Sequence, residues 1–96
     1  MICEIERVIP QDHPTLAGHF PGRAIVPGVV LLDEIGAAIS EWRSGGCLQR
    51  VDVKFLRPIL PAEPFTIVLK EARNGVIRFS CRVGDSLAVE GSCEIS

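Results

Sequence analysis

The sequence lacks several features that mark large classes of protein. It has no block of like charges, and the formal net charge of its 96 residues is −2, so nothing indicates nucleic acid or an anionic membrane surface as a partner. No apolar run approaches the roughly 20 residues that cross a bilayer. Near the N-terminus no basic region precedes an apolar one, so no signal peptide is expected. These absences favour a cytoplasmic enzyme or binding domain.

The chain also has no internal repeat, no linker and no low-complexity segment. A chain of 96 residues is the size of one domain, and its hydrophobic content of 47% is ample for a folded core. Because so short a chain buries only a modest core, pairing with a second copy would help to stabilise it. We therefore predict a single domain over residues 1–96.

Metal and thiol chemistry are not expected. The four cysteines, at positions 3, 47, 81 and 93, do not have the spacing of a metal motif. Neither His13 nor His19 lies beside a cysteine at ligand spacing, so no zinc site is predicted. Cys81 and Cys93 fall in apolar strand patterns, where a thiol behaves as a small hydrophobe. All four cysteines are interpreted as structural, with a catalytic cysteine as a distant alternative.

Hydrophobic periodicity predicts one helix and several strands. A strand is expected over 2–9 and a helix over 28–43, where Ser-Gly-Gly at 44–46 ends it. Apolar and polar residues then alternate in four further segments, 48–56, 64–72, 76–83 and 87–95. Asn74-Gly75 and Gly84-Asp85 predict tight turns between the last three of them. Strands joined in this way form an antiparallel meander, so the predicted class is α+β, with one helix packed on one sheet.

This alternation predicts one shared apolar face in each of the four segments, with Phe65, Ile67 and Leu69 in the second and Ile77, Phe79, Cys81 and Val83 in the third. In the first segment after the helix, Val51, Val53 and Phe55 share one face. In the last segment, Leu87, Val89, Cys93 and Ile95 share one face.

The predicted helix has two faces to bury. At 100° per residue, one apolar stripe contains Leu31, Ile35, Ala38, Ile39 and Trp42. Asp33 lies opposite this stripe, on a second face of small and apolar residues with Val29, Val30, Gly36, Ala37 and Ser40. Glu34 and Glu41 lie together on a flank and are expected to face solvent. A helix that is apolar nearly all round is wrapped by other elements, so we expect the sheet to curl around the first face and another surface, such as a partner subunit, to cover the second.

The stretch GHFPGRAIVPGVVLLDE, residues 18–34, surrounds the start of this helix. The connection before the helix is long and rich in Pro and Gly, and such connections are usually functional. His19 is a candidate general base near neutral pH. The N–H groups of Gly28 and Val29, with the helix dipole behind them, can polarise a carbonyl oxygen. Asp33 is costly on an apolar face unless it is paired, and it can give and take protons.

Each of these residues also has a plainer interpretation. A lone loop histidine is more often a surface or turn residue, and His13 beside Pro14 is interpreted in that way. Asp33 can be partly solvated or accept a hydrogen bond from Ser40. Pro-Gly is an ordinary helix start.

The motif Gly-His-Phe-Pro-Gly, then Pro-Gly-Val, then a carboxylate fourteen residues after His19 closely resembles the β-hydroxyacyl-acyl-carrier-protein dehydratases of fatty-acid synthesis. The later stretch KFLRPILPAEPF, residues 54–65, resembles the family's KFRRPVLPGD. The resemblance covers most of the chain and is nearest to the short dehydratases of aryl-polyene and related pathways. The main chain-elongation enzymes carry glutamate at the position of Asp33, whereas the hydroxydecanoyl type carries aspartate. The chain lacks the N-terminal extension of longer members, which bears on acyl-chain length.

The resemblance implies a hot-dog fold, an antiparallel sheet wrapped around one long central helix. It implies dehydration of a 3-hydroxyacyl thioester, on acyl carrier protein or coenzyme A, to a trans-2-enoyl thioester without a metal or redox cofactor. His19 would remove the proton next to the carbonyl and Asp33 would protonate the departing hydroxyl. Gly28 and Val29 would hold the carbonyl, and the motif residues Phe20 and Pro27 would help to form the substrate site. In the family, histidine and carboxylate come from different subunits, which implies a homodimer, with higher assemblies open.

Two other functions stay open. A hot-dog thioesterase would use a carboxylate to activate water, and a non-catalytic acyl-binding subunit would serve a larger synthase. An acidic carrier protein would favour a basic rim, for which Arg23, Arg57, Arg78 and Arg82 are candidates. For the last two, a solvated strand face is the expected interpretation.

Overall fold

One helix and one sheet make up the described structure. It is a computed structural model that describes residues 2–10, 25–43, 48–73 and 75–95. In chain order the elements are β1 (Ile2–Arg7), α1 (Gly28–Arg43), β2 (Leu48–Phe55), β3 (Phe65–Arg73), β4 (Val76–Val83) and β5 (Ser86–Ile95). The strands form one five-stranded antiparallel sheet in the order β1-β3-β4-β5-β2. The predicted α+β class and helix bounds are confirmed, and β1 ends two residues earlier than predicted. Within these ranges, no helix combines the length and apolar character needed to cross a membrane.

The core lies between α1 and the inner face of the sheet. The predicted helix stripe is confirmed, because Leu31, Ile35, Ala38 and Ile39 are at most 3% exposed. The alternate residues of β3, β4 and β5 that face the helix are also buried, among them Phe65, Ile67, Leu69, Ile77, Phe79, Cys81, Val89 and Cys93. This alternation is the period-2 pattern that a half-buried sheet requires.

Two of the cysteines are packed into this core. Burial raises the pKa of the Cys81 thiol to about 12, and it also raises the pKa of Cys93. Because the thiolate is the reactive form, both side chains act as small apolar groups, as predicted. Cys3 is half-buried and unpaired among the described residues, and Cys47 lies outside them.

β2 lies at the edge of the sheet, and Val53 and Phe55 oppose Gly91 and Val89, which places these two side chains on one face as predicted. Its register with β5 shifts between Gln49 and Asp52, where Arg50 has a φ of 50°. Val53 packs against the core, but Val51 and Phe55 are 37% and 49% exposed. Among the described residues this edge has no strand neighbour, and it carries exposed apolar side chains, a combination that favours pairing with another chain.

β5 contains a bulge that breaks the predicted alternation. Leu87 opposes Arg82 and Val89 opposes Cys81, so Ala88 is an extra residue. The prediction that Leu87 and Val89 share a face is wrong, because Leu87 pairs with an exposed residue and Val89 with a buried one. The Ala88 carbonyl accepts hydrogen bonds from the backbone N–H groups of Leu56 (2.8 Å) and Arg57 (3.3 Å). The bulge thus fixes the chain just after β2 ends.

A tight turn with a strained residue connects β2 to β3. The Glu63 N–H donates to the Leu60 carbonyl at 3.1 Å, with Pro61 in the second position and Ala62, at a φ of 65°, in the third. Proline followed by a positive φ is the pattern of a type II turn, whose third position favours glycine. An L-residue in this region costs about 1–2 kcal/mol.

Ala62→Gly should raise the free energy of unfolding by about 1 kcal/mol, because it removes most of this strain while adding some chain entropy to the unfolded state. Chemical denaturation measures the change, provided that the slope of the unfolding free energy against denaturant concentration is the same in both proteins. Ala37, exposed in the middle of α1, is the matched control, since Ala37→Gly should lower stability by about 1 kcal/mol. A similar loss in both variants would contradict the strain at Ala62.

Candidate active site

The start of α1 carries backbone donors with no partner in the described chain. The Pro27 carbonyl accepts from the N–H groups of Val30 (3.0 Å) and Leu31 (3.3 Å), so the N–H groups of Gly28 and Val29 precede the first helical bonds. Neither of these two donates to a backbone carbonyl of the described residues, and the first turn holds no acidic side chain. The partial positive charge of the helix start can therefore polarise a carbonyl oxygen.

A groove of about 410 Å³ begins at Gly28. Its walls are residues 25–26, Gly28, Leu31 and residues 55–59. All of these are apolar except Arg57, whose Nη2 lies 3.4 Å from Oε2 of Glu63. An apolar groove that is lined by the first residue of α1 suits an acyl chain whose carbonyl lies at the helix start.

The ring of Phe55 covers Gly28 and forms one wall of this groove. A Cβ added to Gly28 would lie 2.8 Å from Cζ of Phe55, closer than carbon atoms approach without displacement. Glycine at position 28 therefore allows the ring to lie against the backbone of the helix start. Sequence reasoning placed Phe55 on a strand face and missed its place in the site, because alternation shows which residues share a face and not what they contact.

Asp33 lies on the exposed face of α1 and does not line the groove of its own chain. Val29 is 66% exposed, and Asp33 follows it by one helical turn, about 6 Å along the axis. Of the predicted second face, Val29, Asp33, Ala37 and Ser40 are exposed on this chain, and their burial by another surface stays a prediction. The predicted face is wrong at Val30, which is 4% exposed because it packs into the core.

The neighbouring carboxylate, Glu34, lies near an arginine of the sheet without a hydrogen bond to it. Nε of Arg7, at the end of β1, lies 3.7 Å from Oε1 of Glu34, and Nη2 of Arg7 lies 2.5 Å from Oε2 of Glu41. The two glutamates share a flank as predicted, but Arg7 lies between them and solvent covers only part of Glu34, whose side chain is 33% exposed. Asp33 has no cationic partner among the described residues.

The structure does not describe every predicted site residue. His19 and Phe20 lie outside the described residues, as do His13 and Arg23. Pro27 is half-buried and accepts the first helical bonds without lining the groove. The part of the chain that is described holds no group of three side chains able to ligate a metal ion.

A larger depression, of about 680 Å³, lies on the sheet face turned away from α1. It is lined by charges of both signs, including Lys70, Arg78 and Glu90, and no helix start borders it. Arg78 and Arg82 are exposed on β4, as expected of a solvated strand face. The smaller groove combines an apolar wall with polarising donors, so the candidate site is placed there.

Gly28→Ala should displace the Phe55 ring, because the new Cβ would overlap its edge. The ring is half-exposed and can move, so we expect the free energy of unfolding to fall by less than about 1 kcal/mol. In a Phe55→Ala background the same change should raise stability, by up to about 1 kcal/mol, because alanine is the better helix former. Denaturation of the four proteins gives the coupling energy. Equal effects in both backgrounds would show that the ring does not lie on Gly28.

Comparison with known proteins identifies the family. The family model described as ApeI-like, ApeI dehydratase, matches residues 2–92. The 3-hydroxyacyl-[acyl-carrier-protein] dehydratase FabZ of Bartonella henselae is 34% identical over 82 residues, which are 73% of this chain and 53% of that protein. The chain thus spans about half the length of the curated relatives it matches.

Solved structures share the fold. A chain of the dehydratase heterocomplex ApeI:P from Xenorhabdus doucetiae superposes with a TM-score of 0.85 at 20% identity, covering 98% of this chain and 86% of that one. A probable thioesterase from Bartonella henselae superposes with a TM-score of 0.78 at 15% identity, covering 99% and 88%. These likenesses confirm the hot-dog fold. Since the family model covers nearly the whole sequence, the chain belongs to the ApeI-like dehydratase family.

Proposed function

We propose that this chain dehydrates 3-hydroxyacyl thioesters of acyl carrier protein to trans-2-enoyl thioesters. The observation that carries the proposal is the apolar groove lined by Gly28, the first residue of α1, in a member of a dehydratase family. Among the described residues, the N–H groups of Gly28 and Val29 donate to no backbone carbonyl. The relatives named as 3-hydroxyacyl-[acyl-carrier-protein] dehydratases support the same substrate class. Coenzyme A is the alternative carrier, and the cytoplasm is the expected location.

In the proposed reaction, the acyl chain occupies the groove and the thioester oxygen accepts hydrogen bonds from Gly28 and Val29. His19 takes the proton from C2, and the electron pair moves onto the oxygen to give an enolate that the two donors stabilise. The carbonyl then re-forms, and the electron pair of the enolate C1–C2 double bond becomes the C2–C3 double bond. The C3 hydroxyl takes a proton from Asp33 and leaves as water. Phe20 and Pro27 are proposed to border the substrate.

The position of Asp33 favours a site shared between two chains. Its carboxylate lies on the exposed helix face, whereas the groove of its own chain opens elsewhere. We propose a homodimer in which Asp33 of one chain completes the groove of the other. The edge strand β2, with Val51 and Phe55 exposed, and the exposed Val29 give this dimer an apolar contact surface. The neighbour ApeI is described in a heterocomplex with a second chain, so a related partner is the alternative to a second copy.

Activity is tested by incubating the protein with 3-hydroxyacyl and enoyl thioesters on carrier protein and following their mass. We expect loss or gain of one water, reduced at least about 100-fold in His19→Ala and Asp33→Asn, since an acid or base group contributes that much. The matched control is Glu34→Gln, which removes the adjacent charge near Arg7 and should retain activity within about threefold. Free acid release would support a thioesterase. No change of mass would support an acyl-binding subunit, and equal loss in Glu34→Gln would contradict the role of Asp33.

The shared site is tested by mixing two inactive variants. If His19→Ala and Asp33→Asn chains exchange at random, half of the dimers are mixed and each has one intact site, so about a quarter of the sites recover. Light scattering should give twice the chain mass of 10.4 kDa. Val51→Lys should dissociate this dimer, whereas Val8→Lys, at a valine that is 47% exposed outside β2, should not. A lone active chain, or no recovery on mixing, would overturn the shared site.

A further inference from the structure

One short segment binds the chain on both sides of the long connection before α1. The Ala62 N–H donates to the Ile9 carbonyl at 2.7 Å, and the Val26 N–H donates to the Ile59 carbonyl at 2.8 Å. Ile9, Val26 and Ile59 are at most 4% exposed, so these two bonds lie beside a buried apolar cluster. We call residues 59–63 the clamp turn. The clamp turn binds Ile9 and Val26, which lie before and after the segment of the chain that contains His19.

The clamp turn is closed by the side chain of Glu63. Its Oε1 accepts a hydrogen bond from the Leu60 N–H at 3.0 Å, while the Glu63 N–H donates to the Leu60 carbonyl at 3.1 Å. Its Oε2 lies 3.4 Å from Nη2 of Arg57, a groove residue. The side chain is 24% exposed. This reciprocal pair of bonds satisfies the backbone N–H groups of Leu60 and Glu63 and the Leu60 carbonyl, in the way that a capping box does at a helix start.

We propose that Glu63 is a positioning residue for the proposed dehydration and acts through the clamp turn. The inference rests on the proposed function. Val26 lies two residues before Gly28, so the Val26–Ile59 bond determines where the carbonyl-polarising N–H groups stand relative to the groove. A misplacement of about 1 Å at such donors can lower a rate as much as 100-fold. Glu63 touches no substrate in this scheme, and its effect passes through Leu60, Ile59 and Ala62.

Amide hydrogen exchange tests whether Glu63 keeps the clamp turn closed. In Glu63→Ala we expect exchange at Val26 and Ala62 to become about tenfold faster, because the turn that accepts or donates their bonds opens more often. Exchange at Ile95, whose N–H donates to the Gly75 carbonyl at 2.8 Å, should not change. Glu63→Gln keeps an oxygen for the Leu60 N–H and should restore protection. Glu63→Met keeps the side-chain length without either oxygen, and it replaces the alanine variant should that one fail to fold.

Steady-state kinetics test whether Glu63 affects the proposed dehydration. We expect Glu63→Ala to lower kcat about tenfold with KM within about twofold, because the donors act on the enolate while the groove walls are retained. Glu63→Gln should recover kcat to within about twofold of the parent protein. Glu71→Ala is the control, since Glu71 has a similar exposure of 32% and its Oε1 lies 2.7 Å from Nη1 of Arg43, away from the site.

The two failures are distinguishable. Absence of dehydration by the parent protein overturns the proposed function and this role with it. If the parent protein is active, normal kcat in Glu63→Ala, unchanged exchange at Val26 and Ala62, or an equal loss in Glu71→Ala overturns the positioning role alone. Failure of Glu63→Gln to recover kcat also overturns it, because the hydrogen bond would then not be the operative contact.

Discussion

Burial of one apolar stripe fixes the rotation of α1, and the candidate site depends on that rotation. Ile35 and Ala38 are fully buried and Ile39 nearly so. Burial of an isoleucine side chain stabilises a fold by about 1.5–3 kcal/mol. Rotating the helix by one residue, about 100°, would expose these side chains and lower the free energy of unfolding by several kcal/mol, roughly the sum of their burial energies. The exposed ion pairs of Arg7 are worth about 1 kcal/mol at most. The hydrophobic contact therefore decides that Asp33 faces outward, and the Arg7–Glu34 contact follows from it.

This rotation divides the chemistry of the helix between two surfaces. Gly28 lines the groove, whereas Asp33 lies on the exposed face. Two consecutive carboxylates, Asp33 and Glu34, consequently meet different environments, since neighbours on a helix point about 100° apart. A site that needs both the donors and the acid is incomplete within one chain, and a second chain is the simplest source of the missing group.

Local periodicity made part of this predictable. The helix bounds, the buried stripe, the position of Asp33 opposite that stripe and the two hairpins follow from residues close in sequence, and the His19 motif supplied the family. The position of Phe55 over Gly28, the bulge at Ala88 and the clamp turn depend on which distant segments pair and in what register. No pattern within one segment contains that information. Val30 is another example. A helical wheel gives the direction of its side chain from the helix axis, but it does not show which other element covers that side chain.

Edge strand β2 connects assembly with substrate binding. It carries exposed Val51 on the surface proposed for subunit contact, and it ends at Phe55, whose ring lies on Gly28 and walls the groove. The Ala88 carbonyl binds the backbone just after the C-terminal end of β2. The outer edge of β2 has no strand neighbour among the described residues. In the proposed dimer a partner strand would supply the missing backbone bonds and restrict the ring. Subunit contact would then both bring the acid and set the width of the acyl groove, which makes the geometry of the site a property of the pair of chains.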